Sequence, residues 1–360
     1  MALSKVDLAN QVENQLPQNL VANNLPFRNI IINGDMSIAQ RGTSVTGITS
    51  TQYLLDRMQF QIGSQGTWTM TQDSDVPTGQ GFSKSLKVDC TTADASPDAN
   101  DSLAVNYRME GQNIQYLAYG TASAKSLTLS FWVKSNKTGT YINELVNTDA
   151  VKQISKSYTI SSADTWEKKT MTFAGDTVSG FTNDNNLSMY LRFYLGAGSN
   201  LTSGTLNTSW NSITTANRAV GQVNLADSTS NYINITGVQL EVGSAASDFE
   251  FLPVDVNLLR CQRYYQRNFY PTLGGVGTAS TSVHIGRLVV SMRASPTLST
   301  ISGTTSQIDL FGTGTVTPSG TTFSNQSTNG FRMYFGGMTG STFGQPSHLD
   351  VDSIQAVAEL

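Results

Sequence analysis

The amino-acid sequence predicts an all-β protein: a jelly-roll β-sandwich followed by a smaller C-terminal β domain, with a short N-terminal arm and a linking helix. Two observations support this fold class. Thr, Ser, Asn and Gln together number 132 of the 360 residues, whereas charged residues make up only 13%, about half of the usual share. Apolar and polar residues also alternate in short runs separated by Gly, Ser, Asn and Asp, which is typical of strands joined by turns.

The N-terminal arm is predicted for residues 1–26, which differ from the rest of the chain. The stretch from Ser4 to Leu16 has helix-like apolar spacing and a capping pair formed by Ser4 and Asp7, and Pro17 ends it. A helix this short is marginal alone in water and needs a surface to pack on. We therefore expect an arm that docks onto another protein; a disordered terminus is the alternative interpretation.

The jelly roll is predicted for residues 27–252, where the alternation is clearest. In the stretches 127–134 and 189–195, every second residue is Leu, Val, Met or Phe. Within NYINITGVQLEV the alternation changes phase at Gly237, which is the signature of a β-bulge. Strands of this length repeated over roughly 225 residues indicate an antiparallel sandwich, with a jelly roll as the favoured topology.

A linking helix is predicted for residues 253–269, where the alternation stops. Leu258, Cys261 and Tyr265 follow helical spacing, and Asp255 can cap the start. We expect about three turns of helix between two β-rich regions.

A distal β domain is predicted for residues 270–360, which are again rich in Gly and Thr. Its stretch GTGTVTPSGTTFSNQSTNG is typical of a long hairpin region. The expected strands lie near 283–291, 331–336 and 350–359.

Charge and composition exclude several classes of function. The net charge is −4 and no basic run occurs, which argues against binding nucleic acid through its phosphates. No apolar stretch approaches the roughly 20 residues of a membrane helix, and the N-terminus lacks the apolar core of a signal peptide. Cys90 and Cys261 belong to no metal-binding motif, so we expect buried thiols, with a disulfide between them as the alternative.

The sequence offers no catalytic motif, and we expect a protein that is not an enzyme. His284 and His348 are the two histidines, and no GxSxG nucleophile motif accompanies them. An enzyme that cleaves polysaccharide would need two carboxylates paired in a cleft, which is a property of the tertiary structure.

Several segments share a family likeness: MALSKVD, RNIIINGDMSIAQRGTS followed by YLLDRM, EGQNIQYLAYGTASAKSLTLSFWVKSNKTGTY, SADTWEKKTMTF, and ITGVQLEVGSAASDFEFLPVDVNLLRCQRYYQR. In combination they resemble tail-fibre-like virion proteins of marine tailed bacteriophages, which contain a carbohydrate-binding-module-like jelly roll. MALSKVD is similar to the N-termini of such proteins, and the rest of the resemblance covers roughly residues 27–268. This sequence departs from the family at Met58, which follows Asp56 and Arg57 in YLLDRM, because the family usually has Trp at that position.

The resemblance implies a virion structural protein, a tail fibre or appendage that binds host-surface polysaccharide and commonly forms a homotrimer. The arm would then contact other virion proteins, and the chain would lie on the tail or capsid surface. The alternative is a capsid-decorating or tail-connecting protein that binds no sugar. Neither interpretation includes a nucleic-acid partner or insertion into a membrane.

Candidate sugar-binding residues follow from the alternation. If the aliphatic phase of each strand faces the core, the other phase presents aromatic rings, amides and guanidinium groups, which suit the apolar faces and hydroxyls of sugars. Burial under a loop or against a neighbouring subunit is the alternative. The candidates are Trp132, Tyr190, Arg192, Tyr194, Arg108 and Asn234.

A structural calcium ion is a further expectation from the resemblance, since such modules often hold one near their first and last strands. Asp35 and Glu241 lie in suitable regions and are the candidate ligands. A capping or turn role is the alternative for both carboxylates. We expect no other cofactor.

Overall fold

The structure is a computed structural model that describes residues 27–267, 273–278, 281–301, 308–310, 314–337, 346–349 and 354–360. The arm predicted for residues 1–26 lies outside these ranges. The chain divides into two compact units, of which the first ends at Leu252 and the second begins at Pro253. Within the described ranges, no helix has the length and apolar character needed to cross a membrane.

The regular secondary structure of the first unit is almost entirely antiparallel strand. They form a six-stranded sheet in the order β1-β4-β5-β13-β7-β10 and a seven-stranded sheet in the order β12-β9-β8-β11-β6-β3-β2. The prediction of an all-β jelly-roll sandwich is confirmed. The strands are β1 (Ser44–Ile48), β2 (Gln52–Tyr53), β3 (Met58–Gly63), β4 (Thr67–Asp73), β5 (Ser85–Thr92), β6 (Ser102–Glu110), β7 (Leu127–Ser135), β8 (Gly139–Asn147), β9 (Lys152–Ile160), β10 (Glu167–Phe173), β11 (Leu187–Ala197), β12 (Asn211–Ser212) and β13 (Tyr232–Val242).

Short helical segments lie between these strands. They are the single turn α1 (Ser199–Thr202) and 3-10 turns at Gly111–Asn113, Gln115–Leu117, Thr215–Asn217 and Leu225–Asp227.

The core of the first unit lies between the two sheets. The ring of Phe131 on β7 meets Phe193 on β11 edge-on, with centroids 5.0 Å apart, and Tyr158 on β9 at 5.1 Å. Each side chain of this kind contributes about 1.5–3 kcal/mol when it leaves water. The opposite phase of each strand therefore faces outward. The inward residues of β7 are all fully buried: Leu127, Leu129, Phe131 and Val133.

The bulge predicted at Gly237 is present in β13. The pairing of β13 with β7 shifts register between Thr236 and Gln239, and Gly237 has a φ of +61°. Glycine adopts this left-handed conformation at little cost because it has no Cβ.

The helix of the second unit is shorter than the predicted range of 253–269. It forms α2 (Val254–Gln262), and Tyr265–Arg267 instead pair with a C-terminal strand, so the sheet satisfies their backbone groups. Asp255 lies in the first helical turn, but the N-cap is Pro253 and no side chain caps the helix.

Two sheets make up the rest of the described second unit. Their orders are β14-β23-β17 and β19-β18-β22-β15-β16-β21-β20. The strands are β14 (Tyr265–Arg267), β15 (Leu273–Thr278), β16 (Thr281–Arg287), β17 (Thr297–Thr300), β18 (Ile308–Leu310), β19 (Gly314–Val316), β20 (Gly320–Ser324), β21 (Gly330–Gly336), β22 (Pro346–Leu349) and β23 (Ile354–Val357).

Cys90 and Cys261 are both buried, and neither forms a disulfide. Of the two interpretations of these cysteines, the structure agrees with buried thiols.

Candidate functional site

The six candidate sugar-binding residues lie on the outer faces of two different sheets. Trp132 and Asn234 belong to the six-stranded sheet, Trp132 half-buried and Asn234 fully buried. Because the sheets pack against each other through their inner faces, a single ligand cannot contact both outer faces. The other four residues lie on the outer face of the seven-stranded sheet: Tyr190, Arg192, Tyr194 and Arg108.

Part of the outer face of the seven-stranded sheet is covered by the segment 198–224, which follows β11. Leu201 and Ala219 from this segment pack on Ile142 and Tyr194 to form a small apolar cluster. Tyr194 is fully buried as a result, and burial raises its pKa. The structure thus places Tyr194 under a loop, which was one of the alternatives for these residues.

An ion pair between Arg218 and Glu144 fastens this segment to the sheet. The Arg218 guanidinium donates from Nε to Glu144 Oε1 over 2.9 Å and from Nη2 to Glu144 Oε2 over 2.7 Å. Nη2 also donates to the hydroxyl of Tyr190 over 2.9 Å. Burial opposes the charge on Arg218, but Glu144 outweighs it and raises the pKa of the guanidinium. Arg218 had no distinguishing sequence signal in its polar loop.

Arg192 lies beside this ion pair and donates to protein acceptors. Its Nε donates to Asn106 Oδ1 over 2.9 Å, and its Nη2 to Gln61 Oε1 over 2.8 Å. Only 8% of Arg192 is exposed. The guanidinium therefore joins β11, β6 and β3 on the outer face, while Tyr190 and Arg108 beside it stay half-buried at the surface.

The six-stranded sheet carries a pocket next to Trp132. Because Gly237 lacks a side chain, the ring of Phe82 lies directly on the bulge, where a Cβ would come within 2.6 Å of the ring. Phe82, Phe249 and Phe251 contact one another with centroids 4.9–5.1 Å apart. These rings and Trp132 bound a pocket of about 180 Å³.

Polar groups complete the lining of this pocket, which we call the Trp132 pocket. Lys168 pairs directly with Trp132 across β10 and β7, and its side chain is exposed. Gln80, Ser130 and Asp248 supply an amide, a hydroxyl and a carboxylate to the lining. Sequence patterns did not single out Lys168, Gln80 or Asp248, since the pocket assembles from segments far apart in the chain.

A charged and aromatic cluster continues along β7 from the pocket. Asp75 accepts hydrogen bonds from Lys134 Nζ over 2.7 Å and from Trp166 Nε1 over 2.9 Å. Partial burial would raise the pKa of Asp75, but these two donors outweigh it and hold the pKa below its usual value. Nearby, the Tyr232 hydroxyl donates to Asp164 over 2.5 Å. The outer face thus presents several aromatic rings and charges on one surface.

The carboxylate of Glu241 is bonded to protein donors. It accepts from the Ser247 backbone N–H over 2.9 Å, the Ser247 hydroxyl over 2.6 Å and Gln239 Nε2 over 2.9 Å. These contacts match the turn role that was the alternative to calcium binding, and Asp35 is half-buried. In the part of the chain that the structure describes, no group of three or more His, Cys, Asp or Glu residues is placed to hold a metal ion.

No family model and no curated protein sequence matches the chain. Among solved structures, it is similar to the enzymatically active domain of tailspike protein 4 from bacteriophage CBA120, with 12% identity and a TM-score of 0.31 over 61% of this chain. The chain spans only 22% of that protein's length.

Two sugar-related structures are also similar. A putative sugar binding protein from Bacteroides thetaiotaomicron matches with 12% identity and a TM-score of 0.33, over 60% of this chain and 100% of that one. The family 11 carbohydrate-binding module from Clostridium thermocellum, in complex with a mixed-linked tetrasaccharide, matches with 12% identity and a TM-score of 0.28, over 57% and 99%.

Proposed function

We propose that this protein is a non-catalytic virion protein of a bacteriophage, a tail fibre or related appendage whose jelly roll binds host-surface glycan. The observation that supports glycan binding is the Trp132 pocket, where aromatic rings and hydrogen-bonding groups line one hollow. Small-ligand sites combine apolar walls with a few polar groups in this way.

The lining of the pocket fits the chemistry of a neutral or weakly charged sugar. A pyranose ring has an apolar C–H face that packs on an aromatic ring such as Trp132 or Phe251. Its hydroxyls can donate to Asp248 and accept from Lys168 and Gln80. A shallow site of this size binds weakly, so display on a homotrimer would strengthen attachment through avidity.

The virion part of the proposal is supported by the sequence segments that resemble tail-fibre-like virion proteins. Residues 1–26 would join the protein to the particle, on the tail or the capsid surface. Deleting residues 1–26 should leave a soluble protein that no longer assembles into particles, which immunoblotting of purified virions measures. If the shortened protein still assembles, the arm has another role.

The glycan part is tested by substituting Trp132→Ala and measuring binding of the purified chain to host-surface polysaccharide by biolayer interferometry. We expect affinity to fall at least about tenfold, since a stacked aromatic ring is lost. Tyr116→Ala is the control, because Tyr116 is 49% exposed and does not line the pocket. Equal binding by the Trp132→Ala variant and the wild type, with both folded, would favour a structural role without sugar binding.

A further inference from the structure

The second unit contains a pocket of its own, separate from the glycan-binding surface proposed above. It lies along the paired strands β16 and β21 and measures about 300 Å³. We call it the Arg287 pocket. Its volume is at the lower end of the roughly 300–1,000 Å³ of small-ligand sites, enough for one or two sugar units.

The register of the two strands creates this pocket. Ile285 pairs with Arg332, and Arg287 pairs with Gly330. Alternation places Ile285 and Arg287 on one face of β16, and their partners lie on the same face of β21. Gly330 has no side chain, so a gap opens opposite Arg287 with Arg332 at its other end.

Two exposed guanidinium groups therefore border the gap. Arg287 and Arg332 are both exposed, and neither forms a salt bridge within the described ranges. Arg332 Nη1 lies 3.4 Å from the Tyr334 hydroxyl, and this hydrogen bond holds the pKa of Tyr334 below its usual value. No Asp or Glu belongs to the described lining of the pocket. The site therefore has a local positive charge in a protein whose net charge is −4.

The remaining lining is neutral. Asn325, Ser327 and Asn329 come from the turn between β20 and β21 and supply amides and a hydroxyl. Ile285 leaves 57% of its surface exposed and gives the pocket an apolar wall.

We propose that the Arg287 pocket binds an acidic saccharide through a carboxylate or sulfate group. The planar guanidinium fork of arginine matches these anions with two parallel hydrogen bonds. The ring of the sugar would pack its C–H face on Ile285, and its hydroxyls would bond to Asn325 and Asn329. Nucleic acid fits less well, because single-stranded chains need exposed aromatic rings for stacking, and Phe331 in this lining is only 3% exposed.

The test uses the full chain with the Trp132→Ala substitution, so that the Trp132 pocket contributes little to binding. Isothermal titration calorimetry measures affinity for an oligogalacturonate, a sulfated galactan oligosaccharide and a neutral galactan oligosaccharide of equal length. Arg287→Gln and Arg332→Gln each remove one guanidinium, and Arg287→Lys keeps the charge without the fork. Lys156→Gln removes one positive charge from the first unit and is the matched control.

We expect both acidic oligosaccharides to bind and the neutral one not to bind at this pocket. Each Gln variant should lower the affinity for the acidic oligosaccharides about tenfold or more. The affinity of the Arg287→Lys variant should lie between that of Arg287→Gln and that of the protein with both arginines intact. Lys156→Gln should stay within about twofold, and added salt should weaken acidic binding.

Three results would overturn the proposal. One is an affinity for the acidic oligosaccharides that is unchanged in both Gln variants. Another is inorganic sulfate bound as tightly as the sulfated oligosaccharide, since the sugar would then contribute nothing. The third is short single-stranded DNA that binds this pocket more tightly than either acidic oligosaccharide.

Discussion

Arg218 and Glu144 form a two-point ion pair, with N–O distances of 2.9 and 2.7 Å, between a polar loop and the middle of a sheet. The Glu144 side chain is fully buried and that of Arg218 is 15% exposed. Together with the apolar contacts of Leu201 and Ala219, the pair holds the segment 198–224 over β8 and β11, where it covers part of the outer face of the seven-stranded sheet.

Removing one partner of this pair should destabilise the fold. We expect Arg218→Met to lower the free energy of unfolding by about 2–3 kcal/mol, because the buried Glu144 carboxylate then keeps, among the described residues, only Arg192 Nη1, at 3.9 Å, and the Tyr194 hydroxyl, at 3.3 Å. Urea denaturation followed by circular dichroism measures the change. Asp89→Asn is the control: the Lys87–Asp89 pair has both side chains about 30% exposed, and its loss should cost less than about 1 kcal/mol. Similar losses in the two variants would contradict the anchoring role of Arg218.

The bulge at Gly237 should be intolerant of any side chain. Gly237→Ala adds strain at a φ of +61° and a Cβ 2.6 Å from the Phe82 ring, so we expect a loss of about 2–4 kcal/mol and weaker glycan binding. Gly47→Ala is a matched control, with a φ of +67° and no atom within 4 Å of its Cβ. Thermal unfolding measures the loss of stability in each variant, and the difference between the two losses isolates the steric clash with Phe82. Equal losses would mean that the Phe82 ring shifts to accommodate the added Cβ.

The thiol of Cys90 should resist alkylation in the folded protein. Burial, with a smaller contribution from Asp227, raises the pKa of Cys90 to about 11. At about pH 8 this leaves on the order of 0.1% as reactive thiolate. We expect mass spectrometry to find no iodoacetamide adduct at Cys90 in native protein and full modification in urea. Rapid native labelling would show that this part of the six-stranded sheet opens readily.

Asp75 should contribute to stability above the acid range and lose that contribution at low pH. Its pKa in the folded protein lies below the usual 3.8 because Lys134 and Trp166 outweigh its burial. The folded state therefore binds the proton less readily than the unfolded state, and stability falls as pH drops through the lowered pKa. We expect the difference in unfolding free energy between wild type and Asp75→Asn to be present near neutral pH and to shrink below about pH 4.

The control for this experiment is Asp98→Asn, which changes a carboxylate on an exposed loop. Urea titrations at several pH values supply the data. The free energies of unfolding of wild type and Asp75→Asn could instead differ by the same amount at every pH. That result would show that the hydrogen bonds of Asp75 do not depend on its charge.

Strand positions were well predicted where alternation was long. The stretches around Phe131 and Phe193 became β7 and β11, and Gly237 became the bulge. The predicted range of the linking helix was too long. Helical spacing at Leu258, Cys261 and Tyr265 cannot reveal that a distant C-terminal strand pairs with Tyr265.

The candidate site was predicted less completely. Alternation correctly directed Trp132 and Arg192 away from the core, but it could not say that they belong to opposite faces of the sandwich or that a loop covers Tyr194. The pocket partners of Trp132 come from β10 and from loops near Gln80 and Phe249, which no local pattern connects.

By itself, the sequence determined the β class, the inward phase of the main strands and the position of the bulge, because period-two alternation and a single glycine act locally along the chain. The tertiary structure alone decided which outward residues reach solvent. The segment 198–224 covers part of one sheet through contacts that include the Arg218–Glu144 ion pair, and on the other sheet Phe82 packs on Gly237 and contacts Phe249 and Phe251. Both outcomes depend on contacts between residues far apart in the chain, whose burial and hydrogen bonds exist only after the sheets have packed.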